Sequence, residues 1–267
     1  MELIRPVNVD ADAPLARANP VAKLAAAAIL LAALFASLDG TTALVILLGL
    51  SVTIRWSGID ARSLLRRSWP VGLAAVSIGL FNVLFAVEQV GPIVLELGPI
   101  RIGAETLVNG VGLVLRLLAI ALAGILATAT TEPSDLADAL IQQLKVSPRF
   151  AIGALAGLRL IPLLARERQT IALARRARGV DAGRNPIVAV RMAGGELVAL
   201  LVGAVRRGSR MALAMEARGF GAMPARTTAR IQRMRRADFA WIAGAAVLAA
   251  LAIGLSVALG TWRPLLG

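Results

Sequence analysis

The chain has 267 residues, 58% of them apolar, with a mean hydropathy of +0.76 and a formal charge of +13. That is more apolar surface than a soluble domain of this size can bury. It points to a polytopic membrane protein, whose basic segments are held on the inner side of the bilayer and are not a nucleic-acid surface. Cys and His are absent, which excludes thiolate or imidazole metal centres, disulfides, thiol nucleophiles and histidine-based triads.

Residues 1–20 are polar, mixed in charge and punctuated by Pro6, Pro14 and Pro20; they read as a cytoplasmic lead-in, not a signal peptide. Val21–Leu38 is a first span, with Lys23 near its start, and Asp39-Gly40 breaks the chain. Thr41–Ile54 is a second apolar run, short for a span. Arg55–Ser68 sets Arg55, Arg62, Arg66 and Arg67 against the single acid Asp60, which assigns it to the inner face. Trp69–Val87 is a third span. Glu88–Glu105, with three Glu and only Arg101 as a base, suits the outer face. Ala104–Thr128 is a fourth span that contains Asn109 and Arg116. An arginine at that depth is expected to pair within the bundle or snorkel.

Composition then shifts. Glu132–Ala237 holds nineteen Lys and Arg against seven Asp and Glu, a net +12 of the chain's +13. Ser134 is expected to cap a short amphipathic helix with the stripe Leu136, Leu140, Ile141 and Leu144, ended by Ser147-Pro148. Two long helical patterns follow, Phe150–Arg178 and Pro186–Arg218, each apolar in its first half and basic in its second. At about 1.5 Å per residue each is roughly 45–50 Å long, expected to sit half at lipid depth and half projecting out. Gly153-xxx-Gly157 and Gly195-xxx-Ala199-xxx-Gly203 place small residues four apart, which permits close helix crossing. Asp181–Asn185 is the hinge between the two patterns, and a basic connector, Arg226–Arg236, leads to the last span, Phe239–Leu259.

Both long patterns close on nearly the same octet. Residues 172–179 read Ala-Leu-Ala-Arg-Arg-Ala-Arg-Gly and residues 212–219 read Ala-Leu-Ala-Met-Glu-Ala-Arg-Gly, identical at six of eight positions. A single Arg-Gly at a helix end is most simply a C-cap that complements the helix dipole. Two of them with matching flanks, one long helix apart, point to a pair of docking tips. Arg keeps its charge and forks to carboxylates or carbonyls, Ala lets a surface approach, and Gly turns the chain.

With these residues in view, the chain resembles the transmembrane T component of energy-coupling-factor (ECF) transporters. The resemblance is carried by Ala177-Arg178-Gly179 and Ala217-Arg218-Gly219, by Leu158-Arg159-Leu160-Ile161-Pro162, and by Thr130-Thr131-Glu132-Pro133. Pro14-Leu15-Ala16-Arg17 and Asn19-Pro20-Val21-Ala22-Lys23-Leu24 resemble the family's front signature, with Asn19 and Val21 where Asp and Arg are usual. The resemblance implies an all-α polytopic bundle of about five transmembrane helices with long, crossed cytoplasmic coupling helices. Its segments would be 1–131, an N-terminal bundle of about four spans, then 132–237, the coupling region, and 238–267, a last span. It implies a multi-pass subunit of the cell membrane, not itself an enzyme, that docks two ABC-type ATPase subunits through Arg178 and Arg218. A separate small substrate-capture membrane protein would take up a vitamin or metal ion. ATP and Mg would be bound by the partner subunits, with no cofactor in this chain.

Three other functions fit less well. A permease of an ordinary binding-protein-dependent ABC importer would use one short coupling loop per subunit. A membrane prenyltransferase or phosphotransferase would need paired aspartates, whereas Asp135 and Asp138 have no second set. A secondary carrier would show broken helices and ionisable groups in repeated halves.

Overall fold

The computed structural model describes residues 10, 12–86, 91–97, 100–180, 183, 185–220, 228 and 230–264. The helices are α1 (Pro20–Ala36), α2 (Gly40–Ser57), α3 (Ala61–Leu84), α4 (Ala104–Ala129), α5 (Pro133–Gln143), α6 (Pro148–Ala177), α7 (Pro186–Ala217) and α8 (Arg236–Ala258). A two-stranded antiparallel hairpin, β1 (Ile93–Leu97) with β2 (Ile100–Gly103), precedes α4, its register shifted between Ile93 and Leu95. Charge alone assigns that segment only a side of the membrane; the hairpin is an addition, and Glu88 lies outside the described residues. The chain divides into two compact units, residues 1–139 with 232–267, and residues 140–231.

In the first unit α1, α2, α4 and α8 close around an apolar core that includes Leu34, Ile46, Ala119, Leu126 and Ala252, and α3 packs on α4. The helix starts are set locally. Asn19 caps α1 by accepting from the Val21 N–H at 2.9 Å, and Asp39 caps α2 by accepting from the Thr42 N–H at 2.7 Å. α3 begins at Ala61, eight residues ahead of the expected span, so the basic segment that holds Arg62 and Arg66 is itself helical. α4 comes closest to its neighbours where both sides are glycine. A Cβ built on Gly40 would lie 3.1 Å from the Gly112 Cα, and one on Gly79 would lie 3.1 Å from the Gly110 carbonyl oxygen. These are backbone-to-backbone approaches of the kind small residues allow inside a membrane.

Arg116 pairs within the bundle, as expected. Its guanidinium donates to the Leu34 and Ser37 carbonyls at the end of α1, which have no helical donor left to satisfy them. The same turn is tied by Ser37 and Thr42 hydroxyls that donate to the Asp39 carboxylate, the latter at 2.9 Å.

Ser134 does not cap α5. The helix opens from the Glu132 carbonyl, which accepts from the Leu136 N–H at 3.0 Å, and the Ser134 hydroxyl, already in the first turn, donates to the Glu132 carboxylate. The tightest burial on α5 is at Ala137 and Ala139, with Leu136, Leu140 and Ile141 half-buried beside them and Leu144 exposed. Among the described residues five helices are long and apolar enough to cross a membrane: α2, α4, α6, α7 and α8. α1 and residues 68–84 of α3 are shorter apolar helices. The number matches the expected five spans, but α6 and α7 stand in it where α1 and α3 were expected.

Candidate functional site

The second unit is built on α6 and α7. α6 starts with Pro148 in its first turn; α7 starts with Asn185, whose side chain accepts from the Ile187 N–H at 3.0 Å, followed by Pro186. Of the expected hinge, residues 181, 182 and 184 lie outside the described residues, as does Arg226 of the basic connector. The contacts between the two helices run in opposite chain directions. Arg175 Nη1 donates to the Met192 carbonyl at 2.8 Å, Arg168 Nε lies 2.7 Å from Glu196 Oε1, and Arg207 Nη1 lies 2.8 Å from Glu167 Oε2. α7 therefore returns antiparallel along α6.

The small-residue spacing works differently from the expectation. A Cβ on Gly203 would lie 3.3 Å from Glu167 Oε1, and one on Gly195 would lie 3.5 Å from Arg175 Nη2. These two glycines make room for charged side chains, not for a neighbouring backbone. Ala199 is exposed, and among the described residues nothing lies within 4 Å of a Cβ built at Gly153 or Gly157. The crossing is thus polar, with α7 contributing no buried residue and α6 only Ala151.

The two octets end in the same backbone conformation. Arg178 caps α6 at φ −90°, ψ 8°, and Arg218 caps α7 at φ −87°, ψ 8°. Gly179 and Gly219 follow at φ 71° and 74°, the left-handed region that glycine enters without a Cβ penalty. At the first tip the Gly179 N–H donates to Arg176 O at 2.9 Å and the Val180 N–H to Arg175 O at 3.0 Å. At the second the Gly219 N–H donates to Glu216 O and the Phe220 N–H to Met215 O, both at 2.9 Å. This paired ending, a Schellman motif, satisfies the last helical carbonyls with main chain alone. It leaves the arginine side chains unused: Ala177, Arg178, Ala217 and Arg218 are exposed, and among the described residues neither tip guanidinium has a partner.

Each tip also carries an exposed leucine that sequence reasoning passed over. Leu173 is 64% and Leu213 is 66% exposed, and each occupies the second position of its octet. The repeat itself carries the signal, since both leucines are among its six shared positions. The antiparallel pairing separates the tips. Arg178 follows Arg175 by three residues, whereas Arg218 follows Met192, the partner of Arg175, by 26. At ~1.5 Å per residue the tips stand on the order of 40 Å apart along α7. Among the described residues no group of His, Cys, Asp and Glu could hold a metal ion.

Residues 11–229 match the family model CbiQ, described as cobalt transport protein. The chain is also similar to proteins named energy-coupling factor transporter transmembrane protein EcfT. The one from Thermosediminibacter oceani is 33% identical over 72% of this chain and 75% of its own length. The EcfT 1 of Listeria monocytogenes is 32% identical over 81% and 82%, and the EcfT of Heliobacterium modesticaldum is 32% identical over 87% and 89%.

Proposed function

The chain belongs to the family of ECF-transporter transmembrane components, and from that premise we propose that its two Ala-Arg-Gly tips are the points at which ATP-driven motion enters it. As an energy-coupling transmembrane subunit the protein is a multi-pass membrane component and not a catalytic one. In our reading its partners are two ABC-type ATPase subunits, which hold ATP and Mg, and a small membrane protein that captures the solute, a vitamin or a metal ion. The observation that carries the docking role is the duplication of one backbone ending, with a free guanidinium and an exposed leucine on each copy. A charge that its own helix does not need, beside an apolar knob, suits a socket with an acidic or carbonyl-lined rim. A gap of about 40 Å between the tips suits one socket on each of two proteins better than two on one small protein.

The antiparallel pairing also constrains orientation. Two antiparallel helices standing upright in a bilayer would send Arg178 and Arg218 to opposite sides. Reaching one compartment requires α6 and α7 to lie along the membrane surface. Their charges support that. The longest uncharged run is Phe150–Leu158 in α6 and Leu197–Val205 in α7, nine residues each, or about 14 Å of helix against a hydrocarbon core of about 30 Å. In α8 the uncharged run from Phe239 to Ala258 covers 20 residues. We therefore place residues 132–237 on the cytoplasmic surface of the cell membrane, with the apolar halves of α6 and α7 seated at the interface or on partners, in place of the half-projecting arrangement expected from the sequence.

The test is the double variant Arg178→Glu/Arg218→Glu in the full complex. It inserts normally, but either releases the ATPase subunits on purification or hydrolyses ATP without uptake, with transport reduced roughly tenfold or more, as for loss of charge-assisted contacts at two interface centres. Wild-type uptake with both ATPase subunits retained would overturn the docking role.

A further inference from the structure

The first unit contains a cavity of about 280 Å³ between α1, α2, α4 and α8 that the coupling role does not use. It exists because its walls are small: Ala26 and Ala27 of α1, Ala123 and Ala127 of α4, and Ala240 and Gly244 of α8. At its inner end α2 and α8 close together, since a Cβ on Gly49 would lie 2.5 Å from Leu248 Cδ2. Toward the other end they meet through Trp56 and Trp241, edge to face at 6.4 Å between ring centroids. Ala240, Gly244 and Trp56 are exposed there, so the cavity opens to the side between α2 and α8, beside the two tryptophans.

One charged side chain lines this space. Lys23 is 4% exposed; its Nζ donates to the Thr130 carbonyl at 2.6 Å and to the Ala16 carbonyl at 3.1 Å. An ammonium has three donors, and among the described residues the third has no acceptor. The surroundings of the opening are basic as well. Arg55 adjoins Trp56, and Arg235 and Arg236 start α8 ahead of Trp241, all three exposed. Two acids act on Lys23: Asp135, half-buried in the first turn of α5, and Asp238, which is buried and occupied, accepting from the Asn19 N–H at 2.7 Å and the Arg235 N–H at 2.6 Å.

We infer that this cavity is a binding site for an anionic phospholipid, one acyl chain entering between α2 and α8 beside the paired rings of Trp56 and Trp241 while an oxygen of its glycerol-phosphate end meets Lys23. Tryptophans favour the headgroup level of a bilayer, and basic residues there attract anionic lipids, so the opening combines the two features such a lipid recognises. From Lys23 to Leu30, both in the lining, α1 covers seven residues, about 10 Å. That depth accepts part of one chain and not a folded partner segment. A zwitterionic lipid offers the same chain, but its headgroup amine would face Arg55, Arg235 and Arg236.

The experiment uses the full-length chain with Trp69→Phe and Trp262→Phe, so that Trp56 and Trp241 alone report. Phosphatidylglycerol brominated along its acyl chain is titrated into protein held in detergent, and brominated phosphatidylcholine is titrated in parallel. The expected result is saturable quenching by the anionic lipid at a concentration roughly tenfold below that needed for the zwitterionic one. Gly244→Leu should abolish the saturable component. Nothing lies within 4 Å of a Cβ at Gly244, so the side chain enters open space; Ala27→Leu serves as a second filling variant should the first not fold. Arg55→Gln/Arg236→Gln should erase the preference between the two lipids. Equal quenching by both lipids in the parent protein would mean only annular contact and overturn the inference, as would saturable quenching that survives a folded cavity-filling variant.

Discussion

The two compact units of this chain are held together by opposite means. In the bundle, helices approach until backbones touch, at Gly40 with Gly112 and at Gly79 with Gly110, and the buried polar groups of the α1–α2 turn satisfy one another. In the arms, α6 and α7 bury almost nothing and meet through Arg168–Glu196, Glu167–Arg207 and the bond from Arg175 to Met192 O. Close backbone packing resists a change of angle, because every neighbouring atom must move with it. Long charged side chains can keep a contact while the helices they stand on shift. The difference therefore assigns rigidity to the bundle and motion to the arms, as the proposed coupling role requires.

The largest effect should come from breaking the close approach in the bundle. Gly112→Leu cannot be placed without separating α4 from the start of α2, since a Cβ there already lies 3.0 Å from the Gly40 Cα. It should destabilise the protein by about 3 kcal/mol, at the upper end for overpacking, seen as a lowered Tm in detergent. Gly124→Leu on the same helix meets nothing within 4 Å and should leave Tm close to the parent value. Similar losses in both variants would show that α4 is sensitive to side-chain bulk generally and not at the glycine contact. A smaller loss is expected for Arg116→Leu, which leaves the Leu34 and Ser37 carbonyls without their donor, at a cost of about 1–3 kcal/mol. Unchanged Tm with altered solute uptake would instead put Arg116 on a transport path.

Most of the helical order was readable because it rests on local signals: apolar run length, Asn19-Pro20, Asp39-Gly40, Ser147-Pro148, and the paired Ala-Arg-Gly endings. What escaped depends on which elements face each other. The spacing Gly153-xxx-Gly157 looks the same in a sequence whether a helix lies against it or not, and here none of the described residues does. The glycines that do bring backbones together, Gly40, Gly79, Gly110 and Gly112, sit on three different helices with no motif linking them. The β1–β2 hairpin is four to five residues a side, too short for alternation to stand out from the apolar background. The tips could be named from the repeat, but their wide separation could not, because it follows from the antiparallel return of α7.

The smallest stability effect, and the sharpest test of the contrast between units, concerns Glu167 and Arg207. Their atoms Oε2 and Nη1 stand 2.8 Å apart, yet the pair lacks the alignment of a hydrogen bond. Both side chains are about one-third exposed, so the pair should contribute no more than about 1 kcal/mol. Arg207→Glu puts two carboxylates where Gly203 leaves room for one, and the helices should spread at that point. Spin labels at Leu173 and Leu213, both exposed, should report a broadened or shifted distance distribution, with Tm scarcely altered. The exchange variant Glu167→Arg/Arg207→Glu should restore the parent distribution, because charge complementarity and not shape holds this contact. If the single reversal left the distances unchanged, the arms would owe their angle to something other than these ion pairs, and the assignment of motion to a polar crossing would fail.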